Sequence, residues 1–435
     1  MIRAFFVALV LCGLAAASQG TAAPAGLTEQ ESRLVAEVRR GNAAALGLLE
    51  EIVNINSGTM NVAGVRRVGD RLGQELAAIG FEVQWVDGAP FGRAGHLVAT
   101  RHGNGRHLLL IGHLDTVFEA DSPFQRFERV SPTAARGPGI IDMKGGDVII
   151  VAALKALQAT GALEGRAITV VMTGDEEDAG EPLDLARRAL CDAADRADVA
   201  IGFEDGSGDP RRAVIARRGS SAWDLQVTAP AAHSSQIFRD EVGAGAIFAA
   251  ARILQQFEAR LSREPLLTFN PGVIVGGTAA TLDPVLARGT AAGKSNVIAG
   301  ETRVTGDLRA ISPEQLAAAK RVMTEVAASA GAKATATIAF SDSYPPLAPT
   351  DGNRALLAAY DQASRDLGSG PVEATDPRAA GAADVSFAAG RVEGVIDGIG
   401  LMGRDDHTDR ETADLATLPT QTARAALLIH RLQRP

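Results

Sequence analysis

The sequence predicts an α/β fold, in which a mostly parallel mixed sheet is covered by helices and a smaller α+β sandwich is inserted into the same chain. Three observations predict this class. Apolar runs of strand length alternate with helical patterns up to residue 216, which is typical of parallel sheets. Residues 217–340 instead alternate polar and apolar side chains, and the helix–strand alternation resumes over residues 341–435. We therefore expect one domain built from residues 24–216 and 341–435, interrupted by a second domain at 217–340.

The composition is that of a globular protein and not of a nucleic-acid-binding or disulfide-rich one. The chain has 435 residues, which is enough for two or three domains of about 150 residues each. A net charge of −9 and only 4% aromatic residues argue against a surface for nucleic acids. Of the two cysteines, Cys12 lies in the N-terminal segment described next. Only Cys191 then remains, so no intramolecular disulfide can form.

The N-terminal segment has the three parts of a secretory signal peptide. Arg3 supplies the positive charge, residues 5–14 form an apolar run, and the small residues 15–23 resemble a cleavage region. The apolar run is shorter than the roughly 20 residues that span a bilayer. We expect residues 1–23 to be removed and the mature protein to be periplasmic or secreted, with no membrane attachment afterwards.

The elements of the interrupted domain follow from hydrophobic periodicity. Apolar side chains recur at helical spacing in three segments, residues 27–56, 62–79 and 142–161. Strands are predicted where apolar residues run together or alternate, at residues 81–86, 96–100, 107–112, 167–174 and 199–204. A further helix is expected between the last two strands. The near-continuous apolar character of the last three runs is typical of strands that are buried on both faces of a parallel sheet.

The inserted domain is predicted from a different pattern of polar and apolar residues. "SAWDLQVT" at residues 221–228 alternates polar and apolar residues, as antiparallel strands with one solvated face do. Further strands are predicted at residues 271–277, 302–309 and 334–340, and helices at residues 242–261 and 313–328. This order of strands and helices predicts a small α+β sandwich.

Polar side chains follow the buried strands at the points where those strands end. His113 and Asp115 lie at the end of the strand in "HLLLIGHLD", Glu176 and Glu177 follow the next one, and Glu204 ends the third. Asp142 lies where a loop enters a helix. Open α/β sheets bind ligands beyond the carboxyl ends of their strands, so we expect these side chains to share one site. Taken singly, each acid could instead stabilise a helix start.

The residue types in this set are suited to a divalent metal. Imidazole and carboxylate ligands without a thiolate fit zinc or a similar ion. Several carboxylates held close together also repel one another, and two dications would relieve that repulsion. Such a centre permits metal-assisted hydrolysis, in which a further carboxylate takes the proton of the attacking water and passes it to the leaving amine.

Seven short motifs occur in the order in which they occur in one known family. They are "GHLDTVF", "ARGPGIIDMKGG", "TGDEEDAG", "FED", "AAHSSQ", "SNVIAG" and "RDDHTD". The chain thereby resembles the dizinc exopeptidase and deacylase family of glutamate carboxypeptidase, aminoacylase and succinyl-diaminopimelate desuccinylase, over nearly all of the mature sequence. The resemblance implies that residues 24–216 and 341–435 form a zinc exopeptidase-like catalytic domain. It also implies that residues 217–340 form a lid or dimerisation domain.

The resemblance implies a ligand set for two zinc ions, with cobalt or manganese as substitutes. His113 and Glu204 would bind one ion, Glu177 and His407 the other, and Asp142 would bridge both. His407 lies in the polar segment "GRDDHTDRE", which by itself reads as an exposed loop.

The resemblance also implies five further roles. Glu176 would be the general base, and Asp115 would orient the first histidine ligand. His233 would reach the oxyanion of a partner subunit's site, which implies a homodimer. Asn296 and Arg309 would bind the substrate, with Arg309 pairing with its free carboxylate. Tyr344 stands where some carboxypeptidases of the family have an arginine.

The family cleaves amide bonds next to a free carboxylate, so we expect small peptides, glutamyl-type conjugates or N-acyl amino acids as substrates. An N-acyl-amino-acid deacylase and a zinc aminopeptidase of the related clan are the alternatives among enzymes, although those aminopeptidases generally lack an inserted lid. Nucleotide binding by "RGTAAGKSN" is excluded, because only three residues separate Gly289 from Gly293 where a P-loop needs four. A binding protein without activity would have lost a ligand or the base, and none is lost here.

Overall fold

The computed structural model describes residues 26–283, 286–331 and 333–433. The predicted signal peptide, residues 1–23, lies outside this range, so export stays a prediction. Within the range, no helix has both the length and the apolar character that a bilayer-spanning segment requires.

The helices predicted at residues 27–56, 62–79, 142–161, 242–261 and 313–328 are present with bounds shifted by at most three residues, and the one helix expected between the last two strands is two short helices. Nine α-helices occur in the described residues. They are α1 (Glu29–Val53), α2 (Val62–Ala77), α3 (Lys144–Ala159), α4 (Leu183–Ala186), α5 (Arg188–Ala194), α6 (Gly245–Leu261), α7 (Pro313–Ala328), α8 (Asp351–Asp366) and α9 (Thr417–Leu432). A capping box begins α1, because the Thr28 hydroxyl accepts from the Glu31 N–H and the Glu31 carboxylate accepts from the Thr28 N–H. Ser312 caps α7 in a similar way by accepting from the N–H of Gln315.

The strands of the described residues form a six-stranded central sheet, two four-stranded sheets and two two-stranded pairs. They are β1 (Glu82–Asp87), β2 (Gly95–Arg101), β3 (His107–His113), β4 (Glu128–Ser131), β5 (Ala134–Arg136), β6 (Ala167–Thr173), β7 (Val199–Gly202), β8 (Arg212–Ala213), β9 (Ser221–Thr228), β10 (Thr268–Gly277), β11 (Ala279–Asp283), β12 (Arg288–Ala292), β13 (Glu301–Arg309), β14 (Thr335–Asp342), β15 (Glu373–Ala374), β16 (Gly394–Ile396), β17 (Gly403–Arg404) and β18 (Thr412–Asp414).

The central sheet has the order β1-β2-β6-β3-β7-β16. The strands β6, β3, β7 and β16 are parallel, whereas β1 and β2 join one edge antiparallel. β6 and β7 are buried along their whole length and β3 along all but its first residue, and α3 is buried between the sheet and the helices α1 and α9. The predicted α/β class with a mostly parallel mixed sheet is therefore confirmed. β1 is more exposed than a half-buried strand because it forms the free edge of the sheet.

The second sheet is antiparallel, with the order β10-β13-β9-β14. The helices α6 and α7 pack against it around a separate core that contains Trp223, Phe257 and Met323. Two chain segments lead into and out of this sheet, and they hydrogen-bond to each other through Arg217 and Leu347. The predicted boundaries at 217 and 340 stay a prediction. The segment "RGTAAGKSN" supplies β12 of a β-hairpin with β11 and not a phosphate-binding loop before a helix.

Candidate metal centre

The predicted polar residues meet at one edge of the central sheet. β3 ends at His113, Glu176 and Glu177 come shortly after the end of β6, and Glu204 comes two residues after β7. Because β6, β3 and β7 are adjacent and parallel, their carboxyl ends lie at the same edge. The alternation of strands and helices thus brings together side chains that are far apart in the sequence.

Asp142 lies between two histidines at the centre of this cluster. Its Oδ1 is 3.1 Å from Nε2 of His113, and its Oδ2 is 2.9 Å from Nε2 of His407. Asp142 immediately precedes Met143 and the start of α3, whereas His407 lies in a loop near the C-terminus with a left-handed φ of 56°. Each oxygen of one carboxylate therefore faces a different imidazole.

Two groups of candidate ligands share this carboxylate. His113, Asp142 and Glu204 form the first, and Asp142, Glu177 and His407 form the second. In each group, one atom from every residue lies within 4.8 Å of the others. Nε2 of His113 is 3.7 Å from Glu204 Oε1, and Nε2 of His407 is 3.2 Å from Glu177 Oε2. The five ligands implied by the family resemblance are thus adjacent in space.

The charges in the cluster perturb the ionisation of its members. Burial raises the pKa of Glu204 well above its usual value, and the negative charge of Asp142 adds to the effect although His113 opposes it. Burial also raises the pKa of Glu177, opposed by its hydrogen bond to His407. Hydrogen bonds to Asp142 and Glu177 raise the pKa of His407 to about 11. The carboxylates thus need compensating positive charge.

This donor set fits a pair of divalent ions. Imidazole nitrogens and carboxylate oxygens are the ligands that zinc accepts, and a bound cation would supply the missing positive charge. In addition, Glu177 Oε1 is buried and has no hydrogen-bond partner among the described residues, which leaves an acceptor free for a cation. The side chain of His113 is 1% exposed and that of His407 is 54% exposed, so solvent reaches the centre from the side of His407.

Asp115 was predicted to orient His113, and it also forms hydrogen bonds to three other groups. Nδ1 of His113 is 3.1 Å from the backbone oxygen of Asp115 and 3.5 Å from its Oδ1. The carboxylate also accepts from the Thr59 hydroxyl at 2.7 Å and from the N–H groups of Glu176 and Glu177 at 3.0 and 3.1 Å. Asp115 therefore links the end of β3 to the backbone that follows β6.

Glu411 is a residue of the centre that the sequence analysis missed. Its Oε2 accepts from the N–H of Gly139 at 2.8 Å, and its Oε1 accepts from the N–H groups of Ile141 and Asp142 at 2.8 and 3.2 Å. Burial raises the pKa of Glu411 to about 8, although the N–H group of Ile141 opposes the shift. This side chain joins the loop of His407 to the backbone that carries Asp142. No feature of "GRDDHTDRE" distinguishes it from the neighbouring acids.

The predicted residues of the inserted domain make no polar contact with the two ligand groups in the described part of the chain. Among the described residues, no hydrogen bond or ion pair connects His233, Asn296 or Arg309 to those ligands. His233 and Asn296 are exposed neighbours, since the N–H of Ser234 donates to the Asn296 carbonyl at 2.9 Å. Arg309 ends β13 and is 35% exposed, with its Nε 3.1 Å from Asp307 Oδ2.

Comparisons with known proteins agree with this geometry. The family model "Peptidase family M20/M25/M40" matches residues 109–431. Carboxypeptidase G2 from Pseudomonas sp. (strain RS-16) is 28% identical over 397 residues, which are 89% of this chain and 88% of the relative.

Two solved structures show the same fold. The aminopeptidase PepT from Bacillus cereus ATCC 10987 is 18% identical, with a TM-score of 0.69 over 90% of this chain and 99% of the other. The YXEP protein of Bacillus subtilis, described as a dinuclear metal-binding peptidase, is 15% identical, with a TM-score of 0.63 over 91% and 99%. Since the family model covers most of the chain, this protein belongs to peptidase family M20/M25/M40 and is a metal-dependent hydrolase of the metallopeptidase type.

Proposed function

We propose that this protein is a secreted dinuclear zinc hydrolase of the carboxypeptidase type, which cleaves amide bonds next to a free carboxylate. Its substrates are small peptides, glutamyl-type conjugates or N-acyl amino acids. One observation carries the proposal: Asp142 is shared by two groups of ligands, each with one histidine and one glutamate. The overall similarity to carboxypeptidase G2 supports the carboxypeptidase assignment.

In this proposal, His113 and Glu204 would hold one ion, Glu177 and His407 would hold the other, and Asp142 would contribute one oxygen to each. When bound, the two ions supply Lewis-acid activation of a water molecule and of the scissile carbonyl. Glu176 takes the proton of that water on its carboxylate and delivers it to the nitrogen of the leaving amine. Asp115 holds the backbone of both the proposed base and the neighbouring ligand, because its carboxylate accepts from the N–H groups of Glu176 and Glu177.

Arg309 would bind the free carboxylate of the substrate, for which a guanidinium group offers two parallel donors. Its side chain is partly exposed, and its Nε bonds to Asp307, so its other nitrogens remain available to a ligand. Asn296 would contact the substrate from the same domain. PepT is named an aminopeptidase. An enzyme of that type would not need a free carboxylate on its substrate.

The test of function is a panel of dipeptides and N-acyl amino acids, each with a free and an amidated C-terminus. If the bound substrate covers Arg309 and desolvates the pair, we expect amidation to lower kcat/KM by a factor that corresponds to about 2–5 kcal/mol, the scale for one lost partner of a buried charge pair. Arg309→Gln should remove most of this discrimination. Arg260→Gln serves as the matched control, because Arg260 is an exposed arginine of the same domain that pairs with Glu325.

Equal rates on free and amidated substrates would overturn the proposal and favour an aminopeptidase. Hydrolysis confined to the N-acyl amino acids would favour the deacylase instead. Both reactions use the same metal ligands and the same base, so the panel separates them where the ligand geometry alone does not.

We also propose that the inserted domain forms a homodimer, in which His233 reaches the site of the partner subunit. Exposed apolar side chains on this domain support a contact surface: Phe238, Ile247, Phe248 and Ile274 are 69%, 48%, 50% and 53% exposed. Ile274 lies on β10, the edge strand of the second sheet, and the rings of Phe238 and Phe248 are 6.0 Å apart. Such exposed apolar groups on one domain are typical of interaction sites.

A mixed dimer tests this arrangement. Chains that carry His233→Ala and chains that carry Glu176→Gln should each be inactive alone. When they are combined, a mixed dimer regains one intact site if the histidine acts across the interface. A different affinity tag on each variant, with purification over both tags in sequence, confirms that the dimers are mixed. No recovery in verified mixed dimers would contradict the proposed role of His233.

Export rests on the N-terminal sequence. Arg3, the apolar run and the small residues that follow it support cleavage near residue 23. Sequencing of the mature N-terminus decides this point.

A further inference from the structure

A buried arginine lies behind the segment that carries Glu176. Arg187 is 1% exposed and follows α4. Its Nε donates to Asp384 Oδ1 at 2.7 Å, its Nη1 donates to Asp175 Oδ1 at 2.7 Å, and its Nη2 donates to the Asp175 carbonyl at 3.0 Å. The two carboxylates compensate its charge in the interior. None of these residues belongs to the ligand set.

Tyr344 connects this arginine to Glu176. The Tyr344 hydroxyl accepts from Arg187 Nη2 at 2.9 Å and donates to the backbone carbonyl of Glu176 at 2.6 Å. Tyr344 lies just beyond β14, in the segment that returns from the second sheet, and its own carbonyl accepts from the N–H of Ser220 at 2.8 Å. A hydroxyl that accepts from a cation is a stronger donor, because hydrogen bonds in a chain polarise one another.

The two peptide groups on either side of the Glu176 Cα are therefore held on both edges. Their N–H groups, from Glu176 and Glu177, both donate to Asp115. Their carbonyls accept from the opposite side, that of Asp175 from Arg187 and that of Glu176 from Tyr344. All four polar groups are satisfied by side chains, so the backbone direction at Glu176 is fixed and with it the starting direction of the side chain.

We propose that Tyr344 is a positioning residue for Glu176, which holds the backbone of the general base through its hydroxyl. The inference rests on the proposed role of Glu176 as the base. The rate of proton transfer depends on where the general base is placed, and a misplacement of about 1 Å can cost roughly 100-fold in rate. Tyr344 thereby also connects the segment that returns from the inserted domain to the catalytic residue.

Tyr344→Phe tests the proposal, because it removes the hydroxyl and keeps the ring. Arg187 retains its bonds to Asp175 and Asp384, so we expect a folded protein with unchanged metal content. The expected result is a fall in kcat of about 10-fold or more at unchanged KM. Tyr360→Phe is the matched control, since Tyr360 is a buried tyrosine whose hydroxyl is 3.4 Å from Gln421 Oε1, away from the ligand groups. It should leave kcat unchanged.

A double-mutant cycle separates positioning from a purely structural role. If the hydroxyl acts through Glu176, then Tyr344→Phe should cause no further loss of kcat in a Glu176→Gln protein. Native kcat in Tyr344→Phe, or the same fold loss in both backgrounds, would overturn the positioning role and leave the proposed function intact. Native activity of Glu176→Gln would instead overturn the proposed base and, with it, this inference.

Discussion

Glu176→Gln is expected to lower kcat by at least about 100-fold, the scale for the loss of a general base. The amide has nearly the shape of the carboxylate, but it cannot take a proton from water. Glu176 is not in either group of candidate ligands, and the hydrogen bonds that hold its backbone come from Asp115 and Tyr344. The substitution therefore removes the proton acceptor without removing a metal ligand or the support of the loop.

The measurement pairs kcat with metal content, determined by elemental analysis on the same preparation. We expect native metal content in Glu176→Gln together with the loss of turnover. Asp178→Asn is the control, because Asp178 is an exposed acid two residues further along the same segment, where it pairs with Arg93. It should keep activity. Turnover within a few-fold of native in Glu176→Gln would show that another group takes the proton.

The fold and most of the candidate centre could be predicted because the relevant signals are local. The buried strands read as apolar runs, and a polar residue directly after such a run marks the carboxyl end of the strand. His113, Glu177 and Glu204 are all found in this way, and the parallel order of β6, β3 and β7 brings them together. His407 follows no strand that the sequence predicted, because the strand before it, β17, has only two residues, so only the family resemblance assigned this histidine. The structure places its Nε2 2.9 Å from Asp142 Oδ2.

The residues that support the centre could not be predicted, since their partners are distant in the sequence. Glu411 binds the N–H of Gly139, 272 positions away, and Tyr344 binds the carbonyl of Glu176, 168 positions away. No periodic pattern in the sequence identifies the hydrogen-bond partner of a buried acid or of a tyrosine hydroxyl. Arg187 likewise reads as one of several arginines in a helical segment. What such residues bind depends on tertiary packing, which hydrophobic patterns do not encode.

Asp142, the carboxylate proposed to bridge the two ions, should be the most sensitive position of the centre. Asp142→Asn is expected to reduce metal binding from two ions per chain to at most one, and to lower activity by at least about 1,000-fold. Bound ions contribute several kcal/mol of transition-state stabilisation, and roughly 4 kcal/mol corresponds to this factor. The two oxygens of Asp142 face the histidines of the two candidate ligand groups, so one group must lose its carboxylate oxygen when an amide nitrogen replaces it. No rotation of the amide restores both.

Asp147→Asn is the control for this experiment, because Asp147 is also a buried acid and lies five residues further on, in the first turn of α3. Neither of its carboxyl oxygens has a hydrogen-bond partner among the described residues, and burial raises its pKa well above the usual value. Burial thus favours the uncharged form of this carboxyl group, although the positive charges of His113 and Lys144 oppose the shift, and an amide of the same shape should preserve two ions and near-native turnover. Metal titration by calorimetry, followed by assay of the loaded protein, compares the two variants. Two ions bound with native affinity in Asp142→Asn would contradict a bridging role, because a carboxylate that can be replaced in this way does not link the two groups.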